Sequence, residues 1–510
     1  MALSRRQFIL DAALASAGWP FVRGARDVRD PASAVFREGV ASGDSLSDRV
    51  VLWTRVTRPQ RTATPPVDVR WSVADDEGLT RIVASGVAQA AAERDFTVKV
   101  DAGDLRPGHT YFYAFDAAGQ RSPIGRTKTL PAAGVARLTL AVVSCSNYPV
   151  GYFNVYRCIA NRPDVDAVVH LGDYIYESFP EPYLDRSGSG RRPLPPGEAR
   201  SLDDYRLRYA IYRSDVDLQA AHAQHPFIAV WDDHESANDA WSGGIGRFPT
   251  RGWPGRQAAA YRAYLEWMPV RESPGAGIRL YRGFRFGALA DLIMLDTRGL
   301  RDRLVAATDR AALHDPKRTM LGAAQEAWLA ERLRASLRDG TGWRLLGQQV
   351  VLSPIARPGV PREHTDAWDG YPQARARLLD LLEKDRIEDV AILTGDFHSS
   401  WAFDVPHDPW SPAGSPASRS LATELVTPAI SSAPFFTDPG AREETALLQQ
   451  TARHVRFVEG ESRGYVLLDI TAERMLADWY FVPGVAERSP KESKGASFVS
   501  ERGSSRLVPA

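Results

Sequence analysis

The sequence has few cysteines, no long apolar run and no net charge, and each of these absences excludes a class of protein. Only two cysteines occur in 510 residues, so a framework of many disulfides is excluded. No uninterrupted apolar run reaches the roughly 18 residues that indicate a membrane-spanning helix. The 63 basic and 63 acidic side chains cancel, so neither a basic nucleic-acid surface nor a highly charged disordered chain is indicated. The length predicts two domains, or one large domain with additions, and the lack of a long apolar run predicts that the mature protein is soluble.

The first residues are typical of an export signal. SRRQFIL (residues 4–10) places Arg5 and Arg6 directly before FILDAALASAGWPFV, an apolar stretch interrupted by Asp11. That stretch is too short for a bilayer helix, which needs about 20 apolar residues. We therefore expect residues 1–30 to be a twin-arginine signal peptide, read by the twin-arginine export machinery, and the mature protein to be periplasmic or secreted. A chance arginine pair on a frayed terminus is the alternative.

The rest of the chain contains two regions that differ in their pattern of apolar residues. Residues 35–130 contain strand-like runs such as VVLWTRV, VDVRWSV and FTVKVDA, and LRPGHTYFY resembles the tyrosine corner of immunoglobulin-like domains. This part predicts an all-β sandwich of the immunoglobulin or fibronectin III type. In residues 137–485 apolar strands alternate with helical stretches, which predicts an α/β domain. The polar segment 486–510 is predicted to be a tail outside that domain.

Metal-binding side chains follow four of the predicted strands. In an open α/β sheet, groups just beyond the carboxyl ends of neighbouring strands converge on one crevice. The sequence therefore predicts one metal centre at a single sheet edge. RLTLAVV leads into Cys145, DVDAVVH into Asp173 and Tyr176, FIAVW into Asp232, Asp233 and His234, and VAILT into Asp396 and His398.

The donor types divide these residues between two sites. The first set is a thiolate, a phenolate, a carboxylate and an imidazole, from Cys145, Tyr176, Asp173 and His398. Such a set favours a transition metal, and the phenolate particularly suits ferric iron. Asp233 and Asp396 offer only oxygen and, with Asp173 bridging, predict a hard site for calcium or magnesium, of which calcium is the abundant ion outside the cytoplasm. His234 is interpreted as a partner of the ligands or as a donor to the transition state.

Each assignment has an alternative. Cys145 and Cys158 are the only cysteines, and in an oxidising compartment an even number usually indicates a disulfide. Tyr176 would ordinarily be a packed aromatic residue. One of Asp232 and Asp233 is expected to cap a following helix.

Taken together, these motifs resemble the calcineurin-like metallophosphoesterase superfamily and, within it, the PhoD-like alkaline phosphatase and phospholipase D family. The resemblance covers residues 35 to about 485 and rests on SCSN, GDYIYE, WDDHE, GDFHSS, LGAAQEAWL, MLDTR and AYRAYLEWMPVR. It implies an αββα metallophosphoesterase domain behind the β-sandwich. It also implies Fe³⁺ at the first site and Ca²⁺ at the second, and allows a further calcium ion.

The resemblance also implies a function, the hydrolysis of small phosphate mono- and diesters at alkaline pH by in-line attack on phosphorus. Arg256 and Asn238 match polar positions of the family and are expected to hold the substrate phosphate, with Asp239 a rival for Asn238. Asp296 and Arg298 are predicted to form an internal ion pair. Two other functions stay open, a phospholipase D acting on phospholipid diesters and a non-catalytic extracytoplasmic binding protein.

Overall fold

The architecture comes from a computed structural model that describes residues 35–57, 65–179, 189–272, 279–355, 364–434 and 439–510. The predicted signal peptide, residues 1–30, lies outside the described residues. Within those ranges, we find no helix that combines the length and the apolar character needed to cross a bilayer.

Short strands account for most of the regular structure. The strands that were predicted from VVLWTRV, VDVRWSV and FTVKVDA are present as β2, β3 and β5, and the four strands that lead into metal-binding residues are present as β9, β10, β11 and β18. In chain order the described strands are β1 (Val40–Gly43), β2 (Val50–Arg55), β3 (Val67–Ala74), β4 (Ile82–Ala90), β5 (Thr97–Ala102), β6 (Thr110–Ala117), β7 (Gln120–Arg121), β8 (Gly125–Lys128), β9 (Leu138–Val143), β10 (Ala167–His170), β11 (Pro226–Ala229), β12 (Ala240–Trp241), β13 (Gly244–Ile245), β14 (Phe248–Pro249), β15 (Arg282–Phe286), β16 (Ala290–Met294), β17 (Trp343–Gln348), β18 (Val390–Thr394), β19 (Ser400–Pro406), β20 (Ser420–Val426), β21 (Val455–Glu459), β22 (Arg463–Ile470), β23 (Arg474–Val482), β24 (Ser493–Glu501) and β25 (Val508–Pro509).

Three of the described α-helices begin at a residue whose side chain caps the first turn. Ser201 and Asp204 form a capping box at the start of α2, and Asp215 accepts the N–H groups of Asp217 and Leu218 at the start of α3. The described α-helices are α1 (Asn154–Ala160), α2 (Leu202–Arg213), α3 (Val216–Gln224), α4 (Trp253–Trp267), α5 (Arg310–Leu313), α6 (Gly322–Arg338), α7 (Pro372–Lys384) and α8 (Pro439–Thr451).

Two large sheets position the chemistry. The central sheet has the order β25-β24-β23-β22-β9-β10-β11-β1-β2-β5, and a 7-stranded sheet has the order β15-β16-β17-β18-β20-β19-β21. One cluster of buried side chains joins the central sheet to α1–α4 and to the 7-stranded sheet, and a second cluster joins the 7-stranded sheet to α6 and α7. The result is a layered α/β arrangement in which the two sheets face each other across the main core.

The N-terminal region does not stand apart from this core. Its strands β3, β4, β6, β7 and β8 form a separate sheet, whereas β1, β2 and β5 extend the central sheet because β1 pairs in parallel with β11. A third buried cluster lies between these two sets of strands. The tyrosine corner is present, since the backbone N–H of Arg106 donates to the hydroxyl of Tyr111 at 2.8 Å.

The prediction that residues 486–510 form a tail outside the α/β domain is wrong. β24 pairs with β23 along its length, and β25 pairs with β24, so this segment completes one side of the central sheet. Phe498 and Leu507 are buried in the core. The polar composition is misleading because an edge strand exposes many of its side chains to water while its backbone fills the ladder.

Two buried histidines predict how stability depends on pH. Burial lowers the pKa of His225 and of His454 to about 4, while each Nε2 donates to a carbonyl oxygen, of Ile159 and Pro354 respectively. Between the ordinary pKa of about 6.5 and about 4 the unfolded chain binds protons that the folded chain does not. The free energy of unfolding is therefore expected to fall with falling pH in this window, by roughly 1.4 kcal/mol per pH unit for each histidine.

Urea unfolding at several pH values between 7.5 and 4.5 measures this dependence. His225→Asn and His454→Asn should each be less stable near neutral pH yet lose less stability on acidification than the unaltered protein. An equal slope in all three proteins would contradict the assignment.

Candidate metal centre

The predicted ligands converge from both large sheets. Cys145 follows β9, Asp173 follows β10 and Asp233 follows β11, which are neighbours in the central sheet, whereas Asp396 and His398 follow β18 of the 7-stranded sheet. The prediction of a single sheet edge is therefore wrong. The face-to-face packing of the two sheets is what brings the ends of β9, β10, β11 and β18 together.

The backbone at these strand ends turns through the left-handed region. The φ angles are +63° at Cys145, +53° at Asp173, +60° at Asp396 and +47° at His398. Non-glycine residues adopt this region at a cost of about 1–2 kcal/mol each, so four such residues in one place indicate a functional site. Gly172 has a related role, because a Cβ there would lie 2.4 Å from the Cβ of Asp232.

The first site gathers the four predicted donors. Ligand atoms of Cys145, Asp173 and His398 lie within 4.8 Å of one another, and the Tyr176 hydroxyl is 3.0 Å from Nε2 of His398. Nδ1 of His398 donates to the carbonyl of Ala433 at 2.9 Å, which leaves Nε2 for a metal. The donor set fits a transition metal that accepts thiolate and phenolate.

The second site is made of carboxylates. Oxygens of Asp232, Asp233 and Asp396 lie within 4.8 Å of one another, and ligand atoms of Asp173, Asp233 and His234 also lie within 4.8 Å of one another. Asp173 therefore links the first group to Asp233, and Asp233 belongs in turn to the carboxylate group, as expected of ligands between two sites. Oδ1 of Asp173 and Oδ1 of Asp233 are buried and accept no hydrogen bond from a described residue, and Nη2 of Arg298 lies 3.7 Å from Oδ1 of Asp233. Buried carboxylate oxygens without a hydrogen-bond donor fit a hard cation.

Arg298 partly neutralises this group. Its Nε donates to Asp232, its Nη2 lies 2.8 Å from Oδ1 of Asp396, and its Nη1 lies 2.5 Å from Oδ2 of Asp366. Asp366 is held in turn by Arg301 at 2.7 Å. The buried guanidinium therefore fixes the carboxylates of Asp232 and Asp396, of which Asp232 is buried and Asp396 partly exposed.

His234 is oriented by a carboxylate that sequence reasoning missed. Oε2 of Glu177 lies 2.6 Å from Nδ1 of His234, and Oε1 accepts the backbone N–H of Asn238 at 2.9 Å. The His234 ring lies on Tyr176, with centroids 4.2 Å apart. Glu177 therefore holds His234 and Asn238, the latter a predicted phosphate-binding residue, in one arrangement. Glu177 is the last residue of the motif GDYIYE and follows Tyr176 directly. That position next to a predicted metal ligand is the sequence feature from which its role could have been inferred.

Glu235 is the second missed residue. Its carboxylate accepts the backbone N–H groups of Asp173 (3.1 Å), Tyr174 (2.7 Å) and Asp232 (2.8 Å). It thereby ties the turn after β10 to the turn after β11. The motif WDDHE contains it, but spacing alone does not tell a carboxylate that binds metal from one that accepts N–H groups.

The electrostatics favour cations at the centre. Burial, reinforced by neighbouring carboxylates, raises the pKa of Cys145 and of Asp173 well above their ordinary values. Burial also raises the pKa of Glu235, to about 8, and lowers that of His398 to about 3. Burial acts against ionisation of Glu177, but His234 beside it lowers its pKa to about 2. Without metal the cluster must retain protons, and a metal ion would replace them.

The alternatives for single residues have clear outcomes. Cys145 and Cys158 are both buried and both free, so the disulfide is contradicted. Tyr176 is packed on His234, yet its hydroxyl also accepts a hydrogen bond from Ser432 at 2.7 Å within the first site. Packing and a ligand role are thus compatible for this tyrosine.

The expected helix cap after β11 is absent in the part of the chain described. The residues after Asp233 form turns and not a helix. In one of these turns the carbonyl of Asp233 accepts the N–H of Ser236 at 2.7 Å. The predicted ion pair between Asp296 and Arg298 is not among those of the described residues, because the Arg298 guanidinium pairs with Asp232, Asp366 and Asp396. Asp296 instead accepts the backbone N–H of Arg298 at 2.9 Å.

Arg256 lies on α4 with its guanidinium already engaged. Nη1 pairs with Glu198 at 2.7 Å, Nε donates to the hydroxyl of Tyr205 at 2.9 Å, and Nη2 donates to the carbonyl of Ser236 at 3.0 Å. Its nearest link to the centre is therefore the turn of residues 236–238. Asp239, the rival of Asn238, donates its backbone N–H to Oδ2 of Asp233.

Comparisons with known proteins agree with this geometry. Residues 140–479 match the family model described as PhoD-like phosphatase, and residues 23–131 match its N-terminal domain. Alkaline phosphatase D of Bacillus subtilis (strain 168) is 37% identical over 487 residues, which span 92% of this chain and 81% of that protein. A solved structure titled "Structure of PhoD" superposes with a TM-score of 0.85 at 35% identity, covering 95% of this chain and 93% of that one.

Proposed function

Because this chain belongs to the PhoD-like phosphatase family and is a metal-dependent phosphoric-ester hydrolase, we propose that it cleaves phosphate mono- and diesters with Fe³⁺ at the first site and Ca²⁺ at the second. The observation that carries this assignment is the shared carboxylate. Asp173 belongs both to the thiolate and imidazole group and to the group that contains Asp233. Two unlike donor sets joined by one aspartate suit two unlike cations.

The residues around the centre have complementary roles in the proposed mechanism. Bound cations supply an activated water near neutral pH and offset negative charge on the phosphoryl oxygens. Asn238 and Arg256 are proposed to support the substrate phosphate. Neighbouring carboxylates, chiefly Glu177, outweigh the effect of burial and raise the pKa of His234 well above its ordinary value. The imidazolium, held at Nδ1 by Glu177, is proposed to donate a proton to the leaving alkoxide.

Hydrolysis of a chromogenic phosphomonoester and of its bis-ester tests the function. Each is assayed with and without a calcium-selective chelator, followed by restoration of calcium. Cleavage that stops on chelation and returns with calcium is the expected result. Lack of cleavage of both esters by protein that carries iron and calcium would contradict the proposal, and phospholipid diesters would then test the phospholipase D alternative.

Colour tests the metal at the first site. A phenolate bound to ferric iron gives a visible charge-transfer band, so the isolated protein is expected to be coloured and Tyr176→Phe to lose that band. Iron content measured on both proteins is the control. An iron-containing, active and colourless protein would contradict the role of Tyr176.

Replacement of Arg256 separates phosphate binding from metal binding. Arg256→Ala is expected to raise KM by about 10- to 100-fold, because the turn at Ser236 and the substrate phosphate lose a charged donor worth about 1.5–3 kcal/mol, while both metals stay in place. Arg262→Ala on the same helix is the matched control and should leave KM unchanged. Loss of iron from Arg256→Ala would show that the residue supports the metal site instead.

The domain assignment and export belong to the same proposal. Residues 35–130 are proposed to be an immunoglobulin-like sandwich and residues 137–485, together with the strands of 486–510, a metallophosphoesterase domain, which the two family matches support. The protein is proposed to reach the periplasm or the medium by the twin-arginine route. Replacing Arg5 and Arg6 by lysine should leave the protein in the cytoplasm, and unchanged export would contradict that route.

A further inference from the structure

An open cleft of about 430 Å³ lies beside the candidate centre. Three chain segments form its walls, at residues 177–179, 196–198 and 237–245. Glu177 and Asn238 line it, and Glu177 also holds His234 at 2.6 Å. The cleft therefore opens on the side of the centre where the proposed proton donor lies.

The position of His234 indicates which part of the substrate occupies this cleft. A group that protonates the leaving alkoxide must lie next to the ester oxygen that departs. The alcohol part of the ester then extends away from the metals on the His234 side. The cleft adjoins that side, because Glu177 both lines the cleft and holds His234.

The lining offers apolar carbon and carboxylates. Phe179, Pro196 and Ile245 supply apolar surface, and Glu177 and Glu198 supply acidic groups. Among the described residues that line the cleft, none is lysine or arginine. An organic group without charge is compatible with such walls, whereas a second anionic group would meet carboxylates and no lysine or arginine of the described lining.

The arginines around the cleft are bound to carbonyl or carboxylate groups of the protein. Arg208 covers the Phe179 ring at 4.5 Å but donates to the backbone carbonyls of Leu194, Pro195 and Gly197, each at 2.9 Å. Glu198 pairs with Arg256 at 2.7 Å and also with Arg200, whose side chain is 71% exposed. None of these three arginines lines the cleft, so an anion that enters it meets the apolar side chains and the carboxylates first.

Resting on the proposed ester hydrolysis, we infer that this cleft receives the alcohol part of the substrate and selects uncharged organic groups over groups that carry a further negative charge. Gly197 provides the test, because a Cβ at this position meets nothing within 4 Å and its backbone is not in the left-handed region. Gly197→Lys therefore adds a cation to the wall without an expected loss of packing. Gly484→Lys is the matched control, since Gly484 is equally open and lies outside the cleft lining.

The experiment compares kcat/KM for para-acetylphenyl phosphate and para-carboxyphenyl phosphate by release of inorganic phosphate. The unaltered protein is expected to prefer the neutral ester, and Gly197→Lys to shift the ratio toward the anionic ester by about tenfold. Ile245→Lys, on another wall, should shift it in the same direction. Gly484→Lys should keep the original ratio.

The outcomes separate the inference from the function on which it rests. If both esters are hydrolysed and neither Gly197→Lys nor Ile245→Lys moves the ratio, the cleft does not hold the alcohol and the inference is overturned. If the unaltered, metal-loaded protein hydrolyses neither ester, the proposed function itself fails and the inference fails with it. Melting temperatures of all variants show that a changed ratio comes from folded protein.

Discussion

Asp173→Ala is expected to lose both metals and to lose turnover by about 10⁴-fold or more. The reason is the position of Asp173, whose carboxylate belongs to the group of Cys145 and His398 and also to the group of Asp233. Removal of a bridging ligand weakens two sites at once. Metal analysis of the purified variant, together with hydrolysis rates, measures both effects.

A buried aspartate outside the centre controls for general damage. Asp215 is buried, caps α3 and pairs with Arg191 at 3.0 Å. Asp215→Ala should lower the melting temperature while leaving iron, calcium and turnover per folded molecule intact. Asp173→Ala that keeps both metals would refute the bridging role, whatever its activity.

Cys145→Ala is expected to lose iron and to reduce turnover by more than about 100-fold, whereas Cys158→Ala should keep both. The two cysteines form a matched pair, since both are buried and free. They differ in place, because Cys145 follows β9 into the first site and Cys158 lies in α1, with Sγ 3.7 Å from the carbonyl of Lys491. Loss of a thiol with a structural role would lower the stability of the protein. Only loss of a thiol that binds the metal would lower its iron content.

Thiol titration adds an independent measurement. After demetallation and denaturation the unaltered protein should show two reactive thiols, and each single variant should show one. In the native, metal-loaded protein Cys145 should react slowly, because it is buried and its thiolate would be bound to the metal. Retention of iron by Cys145→Ala would remove the thiolate from the first site.

Much of this centre follows from sequence because its donors come directly after strands. The apolar runs before Cys145, Asp173, Asp233 and Asp396 predicted strands that are present, and the donor types alone divided the residues into two groups. The prediction that these ligands lie close together is confirmed, but the prediction that they lie at the edge of one sheet is wrong. Membership of β18 in a second sheet depends on strand pairing between distant segments, which no local pattern in the sequence encodes.

The residues that hold the ligands in place were harder to predict. Glu177 and Glu235 stand beside predicted ligands, but their roles depend on which N–H groups face them after folding. Asp366 follows no recognisable motif and is brought to Arg298 only by tertiary packing. The segment 486–510 was misread for a similar reason, since an edge strand needs few apolar residues to pair.

The order of strands in the central sheet has a consequence for biosynthesis. β9 pairs on one side with β22, and Val142 lies opposite Val466, so the partner strand leaves the ribosome more than 300 residues later. Cys145 follows β9 directly, and its carbonyl accepts the N–H of Ser432, a residue that is also made late. Cys145, the first ligand to be synthesised, therefore lies in a sheet that lacks β22 through most of translation. Insertion of the metal ions is expected to be a late event, after synthesis of the polypeptide is nearly finished.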